Sequence, residues 1–238
     1  MSTEIVFKNY DKPLVANLEK LTQLLSGKSR VVGVQHRLSE TFTRLFRDNY
    51  LDLPLISTLN TAPSRSNWTQ HTYYAIRTTA KALYLSCTFE TMGRLDAVIE
   101  TVFDYPGVIL VAEWESNAFT VFGPGAELEK LWFAVEKHKH ADAFLFTYCP
   151  LNRLLEFISG VVDFWQSKTS LRETFPKLFL TVIATRKVIR DDQFIFMRTL
   201  EIDSEIVGLW HDLGLAELED YKTYVEREHN IDLGPDLL

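Results

Sequence analysis

Three acids, Asp96, Glu113 and Glu115, are the residues of this sequence whose types and spacing offer chemistry. They fall within RLDAVIETVFDYPGVILVAEWE, two apolar runs around the turn signal Asp104-Tyr105-Pro106-Gly107. If the runs fold back with Asp104 paired to Gly107, Asp96 stands opposite Glu115 and Val98 opposite Glu113. A type II turn centred on Pro106 and Gly107 instead pairs Tyr105 with Val108 and slides the register without changing its parity. Side chains alternate along a strand and opposed residues share a face, so either register projects all three acids from one side of the hairpin; a three-residue loop would break this.

Carboxylates placed near a core lose their hydration and need a compensating cation. Oxygen-only ligands suit Mg²⁺ or Mn²⁺, ions that keep several waters and share their coordination with substrate phosphates. At a phosphodiester such an ion orients a water, lowers its pKa and neutralises charge developing on the phosphate. A competing account pairs Asp96 with Arg94 and leaves both glutamates on the exposed face of an edge hairpin. Against it, VILVA just before Glu113 lacks alternation and reads as a strand buried on both faces. Glu90, on the preceding run, is an accessory candidate whose register no short turn fixes.

The elements around these acids follow from periodicity. Residues 13–26 place Leu14, Leu18, Leu21 and Leu25 at helical spacing, and residues 38–51 do the same with Leu38, Phe42, Leu45 and Phe46, leaving Arg37, Arg44 and Arg47 on the polar side. The polar stretch TAPSRSNWTQH reads as a surface loop. KALYLSCTFE, RLDAVIETVF and VILVAEWE then read as strands. Ala126 to Lys137 carries Leu128, Leu131, Trp132 and Val135 on one helical stripe, with Lys130 off it, and ADAFLFTYC follows as a buried strand. LNRLLEFISGVVDFWQS predicts a further helix; KLFLTVIATR and QFIFMRTLEI predict two strands separated by polar KVIRDD. The C-terminal DSEIVGLWHDLG and AELEDYKTYVEREHN predict two helices with Gly214 at the break.

This order of elements, with its acids, resembles the PD-(D/E)xK nuclease superfamily over roughly residues 82–149. In that resemblance Asp96 falls on the first metal-binding acid, Glu113, 17 positions later, on the second, and Glu115 on the position usually held by lysine. Leu95 stands where the motif's proline would be. An E-x-E form is found in some type II restriction endonucleases, where the second glutamate is proposed as a base or metal-linked group. Lys130, one turn into the next helix, either restores positive charge to the site or pairs in solvent with Glu127 or Glu129.

The resemblance implies an α/β fold: a restriction-endonuclease-like core with a mixed central sheet flanked by helices, forming one domain over 1–238. A helical elaboration over 1–70 and an acidic strand-and-helix extension, acidic over 201–238, complete it. It also implies a Mg²⁺- or Mn²⁺-dependent endonuclease that hydrolyses DNA phosphodiesters and acts as a homodimer on duplex. The alternative keeps the fold but not the cleavage, as a DNA-binding or assembly subunit. A protein–protein adaptor, suggested only by the acidic C-terminus, is a third reading.

Composition sets the limits of these readings. With 238 residues, 46% of them apolar, the chain has enough apolar material for one sizeable core or two small ones. Cys87 and Cys149 are its only cysteines, which excludes a zinc ribbon or cystine framework and fits a reducing, cytoplasmic setting. The start lacks the pattern of a signal peptide, and no apolar run approaches the ~20 residues of a membrane span. The net charge of −7 hides segregation, because residues 201–238 hold eleven acids and two bases while residues 26–94 hold nine bases and four acids. Arg37, Arg44, Arg47, Arg65 and Arg77 in the basic segment are therefore candidates for phosphate contacts with DNA, or else a solvated surface. Trp68, Tyr73 and Tyr74 beside them are candidates for stacking on bases or for the core. His138 and His140 lie in KHKH at a helix end, where cations favour the dipole, and read as a cap rather than a metal site.

Overall fold

The computed structural model describes residues 38–52, 65–91, 95–102, 107–169, 176–188, 191–204 and 207–209. The aliphatic and aromatic runs of the central chain pair into one mixed seven-stranded sheet whose spatial order follows the sequence. Strands β1 (Leu85–Thr91), β2 (Leu95–Thr101) and β3 (Val108–Glu115) form an antiparallel meander, and β4 (Asp142–Pro150) and β5 (Leu178–Val188) continue it in parallel. Strands β6 (Asp191–Ile202) and β7 (Val207–Leu209) return antiparallel to the far edge. Parallel neighbours need crossovers. Helix α3 (Glu127–Lys137) joins β3 to β4, and α4 (Leu154–Thr169) joins β4 to β5, while α1 (Leu38–Asp52) and α2 (Arg65–Ala82) precede the sheet.

The central strands bury both faces, and alternation sends their side chains into two separate cores. Leu110, Ala112 and Trp114 of β3, with Phe144 and Phe146 of β4, meet Phe42, Phe46 and Tyr50 of α1 and Trp68 and Ile76 of α2. Val111, Ala143 and Leu145 face the other way, onto Leu128, Leu131, Trp132 and Val135 of α3 and Phe157, Val161 and Trp165 of α4. The first core is aromatic: the Phe46 ring sits edge-on to Phe144 and Phe146 at 4.9 and 5.2 Å between centroids. Polar ties fix the same layer, with Ser39 Oγ donating to the buried Asp142 carboxylate and the Tyr50 and Tyr148 hydroxyls 2.8 Å apart.

Several elements differ from their sequence-based expectations. The segment read as a surface loop enters α2 at Arg65, because the buried stripe of this helix interleaves threonine with apolar residues: Trp68, Thr72, Ala75, Ile76 and Thr79. Thr72 and Thr79 satisfy their buried hydroxyls by donating to the carbonyls of Trp68 and Ala75, one turn back. KVIRDD is mostly strand, since the β5–β6 ladder runs out to Val188↔Asp191. Val207–Leu209, predicted to be helical, pairs as β7 with β6, where Val207 is buried. The helix predicted over 13–26 and the C-terminal segment from residue 210 on lie outside the described residues. Among the described residues, no helix is long and apolar enough to cross a membrane.

Docking of α1 through its phenylalanines gives the first prediction. Phe46→Ala, at a fully buried position against two aromatic neighbours, is expected to cost about 3–5 kcal/mol, read as a lower urea midpoint. A loss below ~1 kcal/mol would mean that α1 does not hold the sheet.

Candidate active site

The register of β2 on β3 brings the first two acids together. The ladder runs Ile99↔Leu110, Val98↔Val111, Ala97↔Ala112, and continuing it by one residue sets Asp96 opposite Glu113. The expected registers, with Asp96 opposite Glu115 or further displaced, are therefore not the ones adopted. The connection also differs from a tight turn in extent: Thr101 N–H donates to the Gly107 carbonyl at 3.1 Å, closing a loop over 102–106. A loop with an odd number of residues reverses parity, but the ladder shifts by one between Ile99 and Glu100, with Ile109 the extra residue, and parity is restored. Asp96, Glu113 and Glu115 thus share the backbone face that carries Val98 and Val111 towards α3 and α4.

Glu113 lies at the end of a central strand and is only 1% exposed. Its Oε2 is 3.5 Å from Lys130 Nζ on α3, and that ammonium is also 3.4 Å from Glu127 Oε1. Its Oε1 is buried, and no N–H, hydroxyl or ammonium among the described residues donates to it. Asp96 is held differently: its Oδ2 accepts the Trp114 backbone N–H at 2.8 Å, so the carboxylate closes the end of the β2–β3 ladder. The arrangement is three acids, Asp96, Glu113 and Glu127, around one lysine.

Electrostatics follow from this shortage of positive charge. Burial pushes Glu113 up to about 9, and the neighbouring Asp96 charge adds to it, only partly offset by Lys130. Burial also raises Asp96, against the lowering effect of the Trp114 N–H and of a hydrogen bond with Glu113. Glu113 is the member of the pair that carries a proton at neutral pH when no other cation is present. Burial works against the Lys130 ammonium, but the Glu113 and Glu127 carboxylates outweigh it and hold Lys130 above its ordinary value.

The other predicted residues take separate places. The Glu115 carboxylate turns to the end of its own strand, where Oε1 accepts from Ser116 Oγ at 3.0 Å and from Asn117 N–H at 3.3 Å. Glu90 is exposed and has a left-handed φ of 54°; the pairs Phe89↔Ala97 and Thr91↔Leu95 bracket it at the register position of Asp96. Arg44 pairs with Glu40 one turn away at 3.2 Å, Arg47 is largely buried and meets Asp48, and Arg77 is exposed on α2. These helices cover the sheet face opposite to the acids. Arg37 lies outside the described residues, as does the side chain of Arg65, which opens α2. Trp68 is core, stacked on Phe146, while Tyr74 is half-exposed. His138 caps α3, its backbone N–H donating to the Ala134 carbonyl at 2.9 Å.

Sequence reasoning missed Glu127 as a member of the site. Its signal was present: an acid in the first turn of α3, three residues before Lys130, on the helix that must cross next to the end of β3. Among the described residues, no three His, Cys, Asp or Glu side chains gather as a ready metal-ligand set. Asp96 and Glu113 alone match the one or two protein carboxylates that Mg²⁺ ordinarily takes, and the buried Glu113 Oε1 accepts from no donor among the described residues. Comparison with protein-family models, curated proteins and solved structures returns no match.

The Glu113 proton predicts how stability varies with pH. Unfolded, the side chain ionises near 4.5; folded, it holds its proton up to about 9. Its contribution is fully present below the first value and is lost as pH rises through the window towards the second. Without divalent metal, wild type is expected to lose up to ~1.4 kcal/mol per pH unit through this group between pH 6 and 9. In Glu113→Gln the slope flattens, so the variant gains on wild type as pH rises. Urea unfolding at pH 6, 7.5 and 9 checks this, and equal slopes in the two proteins would contradict it.

Proposed function

We propose that the chain is a Mg²⁺- or Mn²⁺-dependent endonuclease that hydrolyses DNA phosphodiesters on a restriction-endonuclease-like core. The observation that carries this reading is the Asp96–Glu113 pair, with Glu113 buried and Asp96 partly buried beside it. Two carboxylates side by side on central strands, one of them with an oxygen that no donor satisfies, are costly to fold and gain from a doubly charged partner. The order of elements supports it: a helix, a three-stranded meander bearing the acids, a crossover helix and a parallel strand beyond.

In this reading Asp96 and Glu113 hold the ion, and the Trp114 N–H keeps Asp96 aimed at it. The ion, when bound, supplies a Lewis acid at the phosphate and lowers the pKa of a coordinated water. Of the described arginines predicted to contact DNA, Arg77 is the exposed one. Cutting both strands calls for two copies of the chain, each attacking one strand.

A second reading is favoured by one specific observation: an acid stands where the family places lysine, and it is engaged by Ser116 and Asn117. A protein that binds DNA without cutting it, as a subunit of a larger assembly, fits that feature. Incubation with supercoiled plasmid separates the two readings. With Mg²⁺ or Mn²⁺, wild type is expected to nick or linearise the plasmid, while Asp96→Ala and Glu113→Gln lose at least ~100-fold in rate. Retention of DNA with no metal-dependent cleavage would favour the binding subunit. Because a proton on Glu113 competes with the ion, apparent Mn²⁺ affinity is also expected to rise from pH 6 to 8.5, by up to ~10-fold per unit, in a titration without DNA.

A further inference from the structure

We infer that the free edge of β1 is a self-association surface: two copies of the chain pair their β1 strands antiparallel about a two-fold axis at Cys87 and join their sheets into one. The proposed function calls for two copies without placing them against each other, and this surface does not depend on it.

The two edges of the sheet are unlike. Strand β7 closes the far edge with only three residues, a length that offers little ladder to another chain. Strand β1 is seven residues long and, among the described residues, pairs with β2 alone. Edge strands ordinarily deter partners by charge, proline, a bulge or a covering element. The stretch Leu85-Ser86-Cys87-Thr88-Phe89 carries no charged residue and no proline, its ladder to β2 runs without a shift, and Ser86 and Thr88 are exposed.

The hydrogen bonds of β2 fix which backbone groups of β1 face outward. Thr101 N–H donates to the Gly107 carbonyl on the β3 side, and alternation along the strand then turns Val98 and Glu100 towards β1. Their partners Thr88 and Ser86 direct their own N–H and C=O groups to β2, so Leu85, Cys87 and Phe89 direct theirs to the free edge. These three positions are symmetric about Cys87. So are the two left-handed residues that bound the regular stretch, Tyr84 at φ 55° and Glu90 at φ 54°. A second β1 laid antiparallel therefore sets Cys87 against Cys87, Leu85 against Phe89 and Ser86 against Thr88, and each outward-facing pair exchanges both of its hydrogen bonds.

The side chains agree with that register. Leu85, Cys87 and Phe89 lie partly buried against the aromatic layer, where the Phe89 and Tyr73 rings are 4.1 Å apart between centroids, so pairing extends this layer from one copy into the other. On the opposite face Ser86 and Thr88 form a hydroxyl pair, and Glu90 reaches the exposed Tyr84 of the other copy, so no like charges are opposed. The axis of an antiparallel pair stands perpendicular to its sheet, and the acid-bearing faces of the two copies therefore open on the same side.

The full chain is tested by sedimentation velocity at micromolar concentration, with circular dichroism as the check on folding. Wild type is expected to sediment as a dimer. Ser86→Lys/Thr88→Lys opposes like charges twice across the axis and is expected to weaken dimerisation at least ~10-fold, while Ser86→Lys/Thr88→Glu makes the same positions opposite in sign and is expected to recover it. Register is read separately, in a Cys87→Ser background, by mixing Ser86→Cys chains with Thr88→Cys chains; oxidation is expected to link the two kinds of chain to each other and neither to itself. Should the first double variant not fold, the cysteine mixture alone decides. A monomeric wild type, a first variant that dimerises as tightly as wild type, or a second variant as weak as the first would each overturn the inference. Cross-links that form within one kind of chain as readily as between the two would overturn it as well. These measurements involve neither metal nor DNA, so their failure leaves the nuclease reading untouched.

Discussion

A carboxylate on a strand that is buried on both faces has no water to solvate it, so its neighbours must supply the compensation, and Glu113 is in that position. The requirement reaches outward through the fold. Because β3 runs parallel to β4, the chain must leave the carboxyl end of β3 and return through a crossover helix. The acids sit at that carboxyl end, and the first turn of α3 begins close to it. The topology therefore places Glu127 and Lys130 where Glu113 needs partners, as open α/β sheets generally gather their polar groups outside the carboxyl ends of parallel strands.

The two faces of the sheet divide the work. The face under α1 and α2 is packed with aromatic rings whose edge contacts hold the layer together, and polar ties cross it: Ser39 and the Lys177 N–H meet Asp142, and Tyr50 meets Tyr148. The face under α3 and α4 is aliphatic through its centre, and its polar groups stand at one end, on Asp96, Glu113 and the adjacent turn of α3. An unsatisfied carboxylate oxygen is tolerated there because the layer around it, from Val98 and Val111 to Trp165, buries a continuous apolar cluster. The helices that carry Arg44, Arg47 and Arg77 lie on the other face, so these arginines and the acids are separated by the thickness of the sheet.

Much of the architecture was legible because hydrophobic periodicity is local. The helices over 38–51 and 126–137 and the strands around Asp96, Glu113 and ADAFLFTYC come out where their patterns place them. The shared face of the acids was legible as well, yet the register behind it was not. An odd loop and a one-residue irregularity each reverse parity, and together they cancel, an arrangement that no turn motif announces. Helix α2 was hidden for a different reason: threonine lines its buried stripe, and threonine counts as polar until its hydroxyl is seen bonded to its own helix. The role of Glu127 was out of reach because it depends on where α3 crosses, which is set by tertiary packing and not by the spacing of two charges along the chain.

The site differs most from its sequence-based expectation in which acids cooperate. Three carboxylates on one hairpin face predict a site with excess negative charge, for which the sequence offered Lys130 as a candidate cation. In the structure, Glu115 accepts the hydrogen bonds that end β3, while Glu127 enters from the helix together with a lysine. The acid count stays at three, with Glu113 itself, Asp96 and Glu127, but one positive charge now accompanies it. A strand lysine at position 115 would be held rigidly by the sheet; a helix lysine on a four-carbon stem, shared between two acids at 3.4 and 3.5 Å, can change partners without moving the backbone. That freedom distinguishes this arrangement physically from one built wholly on the hairpin.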